Sequence, residues 1–170
     1  KDIGATRNEN HVQIERLFFN ARLKLNDTAE RVMAVLEPLK VTLTNCPPDL
    51  KEVPAFNYPQ SPDRGVHPVP FESEIYIDAS DFREVDDSDY FGLALNKIVG
   101  LKYTGGKIRC DEVKKSGSNI TELVCTFFLD TELVDKPKGT IQWVPVSKAI
   151  KAEVRLYNHL FTVPEPTDEG

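Results

Sequence analysis

The segments Lys107-Ile-Arg-Cys-Asp-Glu-Val113 and Ile120-Thr-Glu-Leu-Val-Cys-Thr-Phe-Phe128 decide the fold class of this chain. Apolar residues occupy alternate positions in both, at Ile108 and Cys110 and at Leu123, Cys125 and Phe127, which is the two-residue period of a strand with one buried face. The residues between them, Lys-Lys-Ser-Gly-Ser-Asn, favour a turn, so the pair predicts a β-hairpin with a longer loop. Cys110 and Cys125 fall in these strands, and we expect both to be small core residues.

The same two-residue period recurs elsewhere in short segments separated by turn residues. It includes Val41 with Leu43, Ile75 with Ile77, Thr140–Val144 and Ala152–Leu156. Seven prolines lie between residues 46 and 70, where they leave few backbone donors, so an ordered loop or a sheet edge is predicted there. Short strands with turn signals every ~8–12 residues indicate a barrel or a sandwich.

The N-terminal part has the spacing of a helix instead. Apolar residues recur at helical intervals over residues 9–25, which predicts an amphipathic helix. Asp27 with Glu30 resembles a capping box, so a second short helix is predicted over Ala29–Val35. Pro38 should end it, because the residue before a proline avoids helical geometry.

Charge is unevenly distributed along the 170 residues, whose net charge is −6. This balance argues against a histone-like or arm-type nucleic-acid binder. Residues 91–115 nevertheless form a basic segment, with six basic residues against two acidic ones: Lys97, Lys102, Lys107, Arg109, Lys114 and Lys115. Such a segment can bind a polyanion at one place or can be a solvated strand face. The stretch Asp78–Asp89 is acidic and lacks calcium-loop spacing, so a solvated face or a helix start is expected.

Catalytic and metal-binding motifs are absent from the sequence. It has no phosphate-binding glycine loop, no dinucleotide fingerprint and no H-E-x-x-H. Its three cysteines lack zinc-ligand spacing and suit a reduced intracellular compartment. No apolar run is long enough for a membrane helix, so no membrane association is expected. We expect no catalytic residue, metal ligand or cofactor site.

Three blocks of sequence carry a family resemblance that spans nearly the whole chain. They are Asn26–Asn45, Val69–Glu84, and Ile141–Val144 followed by Val154–Phe161. In order and spacing they resemble the anticodon-binding region of the glutaminyl-tRNA synthetase family. That family consists of class I enzymes that join glutamine to its tRNA using ATP with magnesium. The class I signatures His-Ile-Gly-His and Lys-Met-Ser-Lys-Ser are missing, so the resemblance implies a non-catalytic part of a longer enzyme.

The resemblance also implies an architecture and a partner. Residues 1–38 would be the end of a helical subdomain, and residues 39–170 the start of a domain of two antiparallel β-barrels, with the nearer barrel incomplete. The fold class expected is therefore mainly β, with antiparallel barrels preceded by a short α-helical segment. The partner would be the anticodon loop of a glutamine-accepting tRNA, bound by a cytoplasmic monomer, with no DNA and no membrane. Two alternatives stay open: a glutamyl-tRNA synthetase, and a free-standing RNA-binding or interaction module.

Individual site residues follow from the same resemblance. Arg31 matches an arginine facing the anticodon loop, although it could be a surface helical arginine. Asn26 matches an asparagine that either bonds a base or caps the helix. Pro59 and Gln60 fall where the family lines the pocket of the middle anticodon base with proline and asparagine. Lys102 aligns with an arginine near the first anticodon base and can supply charge but no bidentate fork.

The region near the third anticodon base departs from the family. Basic residues are frequent in the family at the positions of Phe91, Gly92 and Gly100, where this chain has none. The resemblance therefore assigns no contact to the third base. Phe91 is a candidate for stacking on an unpaired base, with a core position as the alternative. Lys97, from the basic segment, completes the set of candidate tRNA contacts, and the acidic stretch is expected to point away from the RNA.

Overall fold

The computed structural model describes residues 12–129, 131, 136–159 and 161–163. The chain divides into two compact units. The larger unit is Arg31–Ala152, and the smaller one combines Lys1–Glu30 with Glu153–Gly170. No helix among the described residues is long and apolar enough to cross a membrane. The domain boundary expected after residue 38 stays a prediction.

The smaller unit contains helix α1, Ile14–Thr28. The helix predicted over residues 9–25 is confirmed from Ile14 onward, whereas Val12 and Gln13 precede the helix and residues 9–11 lie outside the described residues. The helix continues three residues past its predicted end. The Thr28 hydroxyl donates to the Lys24 carbonyl at 2.9 Å, which satisfies an acceptor of the last turn.

Strands make up most of the larger unit, in one large sheet and two small ones. The sheet of seven has the order β10-β7-β8-β9-β1-β4-β11, and β2 with β3 and β5 with β6 form the two-stranded sheets. The strands are β1 Pro38–Leu43, β2 Glu52–Phe56, β3 Val66–Pro70, β4 Glu74–Asp78, β5 Phe82–Arg83, β6 Leu93–Ala94, β7 Ile98–Leu101, β8 Gly106–Ser116, β9 Asn119–Leu129, β10 Thr140–Ile141 and β11 Val144–Pro145.

The mainly β fold class with a short helical segment is confirmed, and the large sheet is curled like half of a barrel. Most neighbouring strands are antiparallel, as predicted. Three pairs differ: β1 runs parallel to β9 and β10 runs parallel to β7 in the large sheet, and β5 runs parallel to β6 in a small one. In the large sheet, long stretches of chain separate the strands of each parallel pair, which gives the chain room to return in the same direction.

The β8–β9 hairpin is confirmed, with a shorter loop than predicted. Ser116 pairs with Asn119, so only two residues lie between the strands. Gly117 has φ +63°, a conformation that glycine adopts without steric cost. Cys110 and Cys125 face each other across the hairpin and are both fully buried, which confirms their assignment to the core.

The core lies on the inner face of the curled sheet. The predicted alternation is observed in β1 and β4, where Val41, Leu43, Ile75 and Ile77 are buried. Three aromatic rings stack at the centre of this cluster. The Phe71 ring centroid lies 5.3 Å from that of Phe127 and 5.2 Å from that of Trp143, the latter in an edge-to-face arrangement.

The second helix predicted over Ala29–Val35 is wrong. Asp27 lies inside the last turn of α1 and not at a helix start, and the chain from Ala29 onward is not helical. Residues 31–36 alternate between half-buried and exposed positions, as in a strand. The backbone N–H of Leu36 donates to Asp78 Oδ2 at 3.0 Å, so a residue 42 positions away holds this segment extended.

Two further expectations need correction. The strand predicted over Thr140–Val144 is split into β10 and β11, because Gln142 and Trp143 between them leave the ladder. No strand forms over Ala152–Leu156.

The proline-rich segment contains the β2–β3 hairpin, in which Pro54 is paired opposite Pro68. It is a separate two-stranded sheet, which agrees with the expected edge position.

The first prediction concerns Asn45, whose side chain extends the ladder beyond β1. Its Oδ1 accepts from the backbone N–H of Phe127 at 2.7 Å, and its Nδ2 donates to the Phe127 carbonyl at 2.8 Å. Asn45→Ala leaves both backbone groups unpaired and should lower the free energy of unfolding by about 2 kcal/mol. Urea denaturation measures this change. Asn45→Asp keeps the acceptor and loses the donor, so an intermediate loss is expected; no loss in either variant would contradict the assignment.

The second prediction concerns pH. Partial burial by itself raises the pKa of Asp78, but hydrogen bonds from Ser80, Leu36 and Glu37 outweigh it and hold the pKa below its ordinary value of 3.8. Ionised Asp78 therefore stabilises the fold above the pKa of the unfolded chain, and this contribution is lost as pH falls through the folded-state pKa.

The free energy of unfolding of Asp78→Asn should accordingly differ most from that of the parent chain above about pH 5. The difference should shrink below pH 3.8. Denaturation curves between pH 3 and pH 7 test this, with Asp49→Asn at an exposed loop position as the control. If the difference in the free energy of unfolding did not vary with pH, the ionised carboxylate of Asp78 would not be the source of the stabilisation.

Candidate nucleic-acid interface

Arg31 lies beside the loop that carries Pro59 and Gln60. Its backbone N–H donates to the Asn57 carbonyl at 2.8 Å, and Asn57 directly follows β2. Pro59 and Gln60 are exposed at the tip of this loop. Three sequence-predicted site residues, Arg31, Pro59 and Gln60, therefore occupy one end of the β2–β3 hairpin, although 29 positions separate the first from the last.

The loop of residues 57–65 is closed by its own hydrogen bonds. The backbone N–H of Asn57 donates to the Gly65 carbonyl at 3.1 Å, and Asn57 Oδ1 lies 2.7 Å from His67 Nδ1. Gly65 has φ +97°, and a Cβ there would lie 3.3 Å from Asn57 Nδ2, so the return of the loop requires glycine. The residues at the tip are thus presented on a well-defined turn.

Lys102 lies on a second turn at the same end of the sheet. Its ammonium is 5.4 Å from the centroid of the Tyr103 ring, and that ring meets Phe56, the last residue of β2, edge to face at 6.0 Å. The Lys102 carbonyl accepts from the indole N–H of Trp143 at 2.9 Å. Through Phe56, the turn that carries Lys102 adjoins the loop that begins at Asn57.

Two residues of this end, Tyr58 and Arg64, were not identified from the sequence. The Arg64 guanidinium carbon lies 3.3 Å above the centroid of the Tyr58 ring. Neither residue belongs to a motif that the sequence offers. The sequence gives only a weak indication of this pair, namely that a tyrosine and an arginine flank Pro-Gln-Ser-Pro-Asp inside one proline-rich loop.

Two further candidates are Asn26 and Phe91. Asn26 is half-buried in α1, in the smaller unit. Phe91 is 64% exposed, so the alternative of a core position is wrong. Its backbone carbonyl lies against Gly139, where a side chain would collide with it.

Tight packing explains the lack of side chains at Gly92 and Gly100, two positions where the family resemblance leads us to expect basic residues. A Cβ at Gly92 would collide with the Tyr90 hydroxyl and would lie 2.6 Å from the Asp81 carbonyl oxygen. A Cβ at Gly100 would lie 2.9 Å from the hydroxyl oxygen of Thr140 in the adjacent strand. Basic side chains at these positions would require the neighbours to move.

The basic segment of residues 91–115 is largely neutralised by carboxylates. Four of its six basic residues form ion pairs, which are Lys97–Asp86, Arg109–Asp111, Lys114–Glu122 and Lys115–Glu84. A fifth, Lys107, is only 5% exposed. Lys102 forms no ion pair with the residues that the structure describes. The folded chain therefore presents a smaller cationic surface than the count of six basic residues would give.

The acidic stretch lies beside these lysines. A hydrogen bond from Lys97 is the main reason that the pKa of Asp86 is held below its ordinary value. Lys97 also donates to the Tyr90 carbonyl at 2.6 Å, and its side chain is only 14% exposed. Lys97 is thus committed to contacts within the protein. Among the described residues, no group of three or more His, Cys, Asp and Glu side chains could hold a metal ion.

Two family models match the chain, and both describe the same kind of domain. Residues 29–128 match the anticodon-binding domain of the class I tRNA synthetases (E and Q). Residues 140–169 match a second anticodon-binding domain model of the same class. The first match contains the hairpin end formed by Arg31, the loop of residues 57–65 and Lys102.

Curated relatives give the same assignment. The chain is 42% identical to the glutamine–tRNA ligase of Colwellia psychrerythraea over 174 residues, which cover 98% of this chain and 31% of the relative. It is 41% identical to the glutamine–tRNA ligase of Yersinia enterocolitica over 170 residues, which cover 96% of this chain and 30% of the relative. The chain thus spans about a third of the length of these relatives. By these matches, the chain belongs to the anticodon-binding domain family of the class I tRNA synthetases for glutamate and glutamine.

Proposed function

We propose that this chain binds the anticodon arm of a tRNA that accepts glutamine. The observation that carries the proposal is the convergence of Arg31, the loop with Pro59 and Gln60, and Lys102 at one end of the β2–β3 hairpin. Family membership supports the same partner. The names of the relatives favour glutamine over the glutamate alternative, and they do not favour a free-standing module.

The chemistry of this end suits an unpaired RNA loop. Sequence-specific RNA recognition targets splayed bases, which proteins stack on planar side chains and bind through hydrogen bonds at their edges. Gln60 offers an amide donor and acceptor for a base edge. The Arg31 guanidinium can form two parallel bonds to a phosphate or a base, whereas Lys102 supplies a point charge.

The whole protein is proposed to be a cytoplasmic glutamine–tRNA ligase that uses ATP with magnesium. Its relatives bear that name, and this chain corresponds to about a third of their length. The chain itself contains neither class I ATP signature, so we propose that it forms no aminoacyl-adenylate. It would act as a monomer that positions the tRNA for a reaction centre elsewhere in the protein.

The third prediction separates Lys102 from the paired lysines. Lys102→Gln should weaken binding of a glutamine-tRNA anticodon stem-loop and lower the slope of log affinity against log salt by about 0.7, the contribution of one phosphate on single-stranded RNA. Fluorescence anisotropy between 50 and 200 mM salt measures both quantities.

Lys115→Gln is the matched control, because it removes the same charge from a lysine paired with Glu84 at 2.5 Å. Its affinity and slope should stay close to those of the parent chain. Equal losses in the two variants would mean that RNA contacts the whole basic segment and not the end that contains Lys102.

The fourth prediction concerns Gly92, where relatives of this family often carry a basic residue. Gly92→Arg should destabilise the fold without tightening RNA binding, because its Cβ collides with Tyr90 and crowds the Asp81 carbonyl. Thermal melting and stem-loop affinity test the two parts. Gly92→Ala, which adds the Cβ without charge, should lower the melting temperature as well. A stable Gly92→Arg variant with higher affinity would show that packing does not exclude the basic side chain.

A further inference from the structure

The Tyr58–Arg64 pair is the feature of the loop that neither the sequence motifs nor the family resemblance assigns. The Arg64 guanidinium carbon is 3.3 Å from the ring centroid, which is contact distance for two stacked planes. Arginine is suited to this arrangement because its guanidinium is planar and weakly hydrated.

The loop backbone holds the two side chains in place. The N–H of Ser61 donates to the Tyr58 carbonyl at 2.9 Å, and the N–H of Arg64 donates to the Ser61 carbonyl at 3.0 Å. These successive turns bring residues 58 and 64 together, and Gly65 then returns the chain to β3. The loop itself therefore holds Tyr58 and Arg64 in contact, and the stacked pair is present before RNA binds.

The order of the two layers follows from their burial. Tyr58 is half-buried, whereas Arg64 is exposed. The tyrosine is thus the inner layer against the protein, and the guanidinium is the outer layer toward solvent. Pro59 and Gln60, both exposed, lie on the same short loop.

An exposed guanidinium backed by an aromatic ring is a surface on which a nucleobase can stack. Proteins hold unpaired bases on arginine planes as well as on aromatic rings, and the positive charge adds attraction to the nearby phosphates. The ring beneath fixes the plane of the guanidinium, so less side-chain freedom is lost when a base arrives.

We propose that Tyr58 and Arg64 form a stacking platform that seats one unpaired base of the anticodon loop, with Arg64 between the tyrosine ring and the base. This inference rests on the proposed function, and it adds a binding element to that site. Arg64 would hold the base by its face, while Gln60 is placed to contact an edge.

The test uses the 170-residue chain and anticodon stem-loops in which 2-aminopurine replaces one loop base at a time. Stacking quenches 2-aminopurine fluorescence, so the parent chain should quench it at one loop position. Arg64→Lys keeps the charge but removes the plane. It should lose that quenching and about fivefold or more in affinity, while the salt slope stays unchanged.

Arg109→Lys is the matched control, since the Arg109 guanidinium also lies over an aromatic ring, that of Phe128 at 5.4 Å, but belongs to β8 and not to the loop of residues 57–65. It should leave affinity and quenching unchanged. Tyr58→Leu, which removes the inner ring, should reduce quenching while Arg64 is present. Melting curves identify variants that fail to fold.

The outcomes separate the inference from the function on which it rests. If the parent chain does not bind the stem-loops, the proposed function fails. If it binds, and Arg64→Lys retains full quenching and affinity, the platform is overturned and the anticodon function stands. Normal quenching in Arg64→Lys with loss of salt slope in Arg64→Gln would make Arg64 a phosphate contact and would also overturn the platform.

Discussion

A hydrogen bond from the aromatic core anchors one of the two turns of the candidate interface. Trp143 is fully buried between Phe71 and the sheet, and a buried indole N–H must find an acceptor. It donates to the Lys102 carbonyl at 2.9 Å. The Lys102 N–H in turn donates to the Ile141 carbonyl at 3.1 Å. Because the N–H and the carbonyl of Lys102 both form hydrogen bonds to core residues, the core fixes the position of this turn. The next residue, Tyr103, has φ +68° and packs against Phe56.

Strand periodicity was sufficient to predict the parts of the fold that depend on one buried face. The inward residues of β1, β4 and β9 alternate as their sequences indicate. In β8 the alternation is interrupted, because Lys107 is buried between Gly106 and Ile108 and the register shifts after Cys110. The failed helix over Ala29–Val35 has a different cause. Its capping pattern is local, whereas the extended conformation is held by Asp78, which accepts from the backbone N–H groups of Leu36 and Glu37. The sequence of residues 29–35 gives no information about a hydrogen-bond acceptor that lies 41 or 42 residues further along the chain.

The sequence likewise predicted only part of the candidate site, because it does not show which residues become neighbours in the folded chain. The family resemblance pointed to Arg31, Pro59, Gln60 and Lys102, which the fold gathers at one end of a hairpin. Counting charges left the role of the basic segment open because the count includes no partners, and Lys97 and Lys115 pair with Asp86 and Glu84 from the acidic stretch. The stacking of Arg64 on Tyr58 depends on how the loop turns, which no spacing rule for strands or helices describes.

An overall charge of −6 is compatible with RNA binding because screening makes electrostatics local. At about 0.1 M salt, exposed charges more than roughly 10 Å apart hardly interact, so a phosphate responds to the side chains of the end that it approaches. Around Lys97 and Lys115 it would meet Asp86 and Glu84 already paired with those lysines, and each new contact would have to displace a carboxylate. At Lys102 a phosphate would displace no carboxylate of the described residues. The acidic stretch thus opposes the approach of a polyanion to Lys97 and Lys115 and leaves the turn that presents Lys102 as the more favourable part of the basic segment.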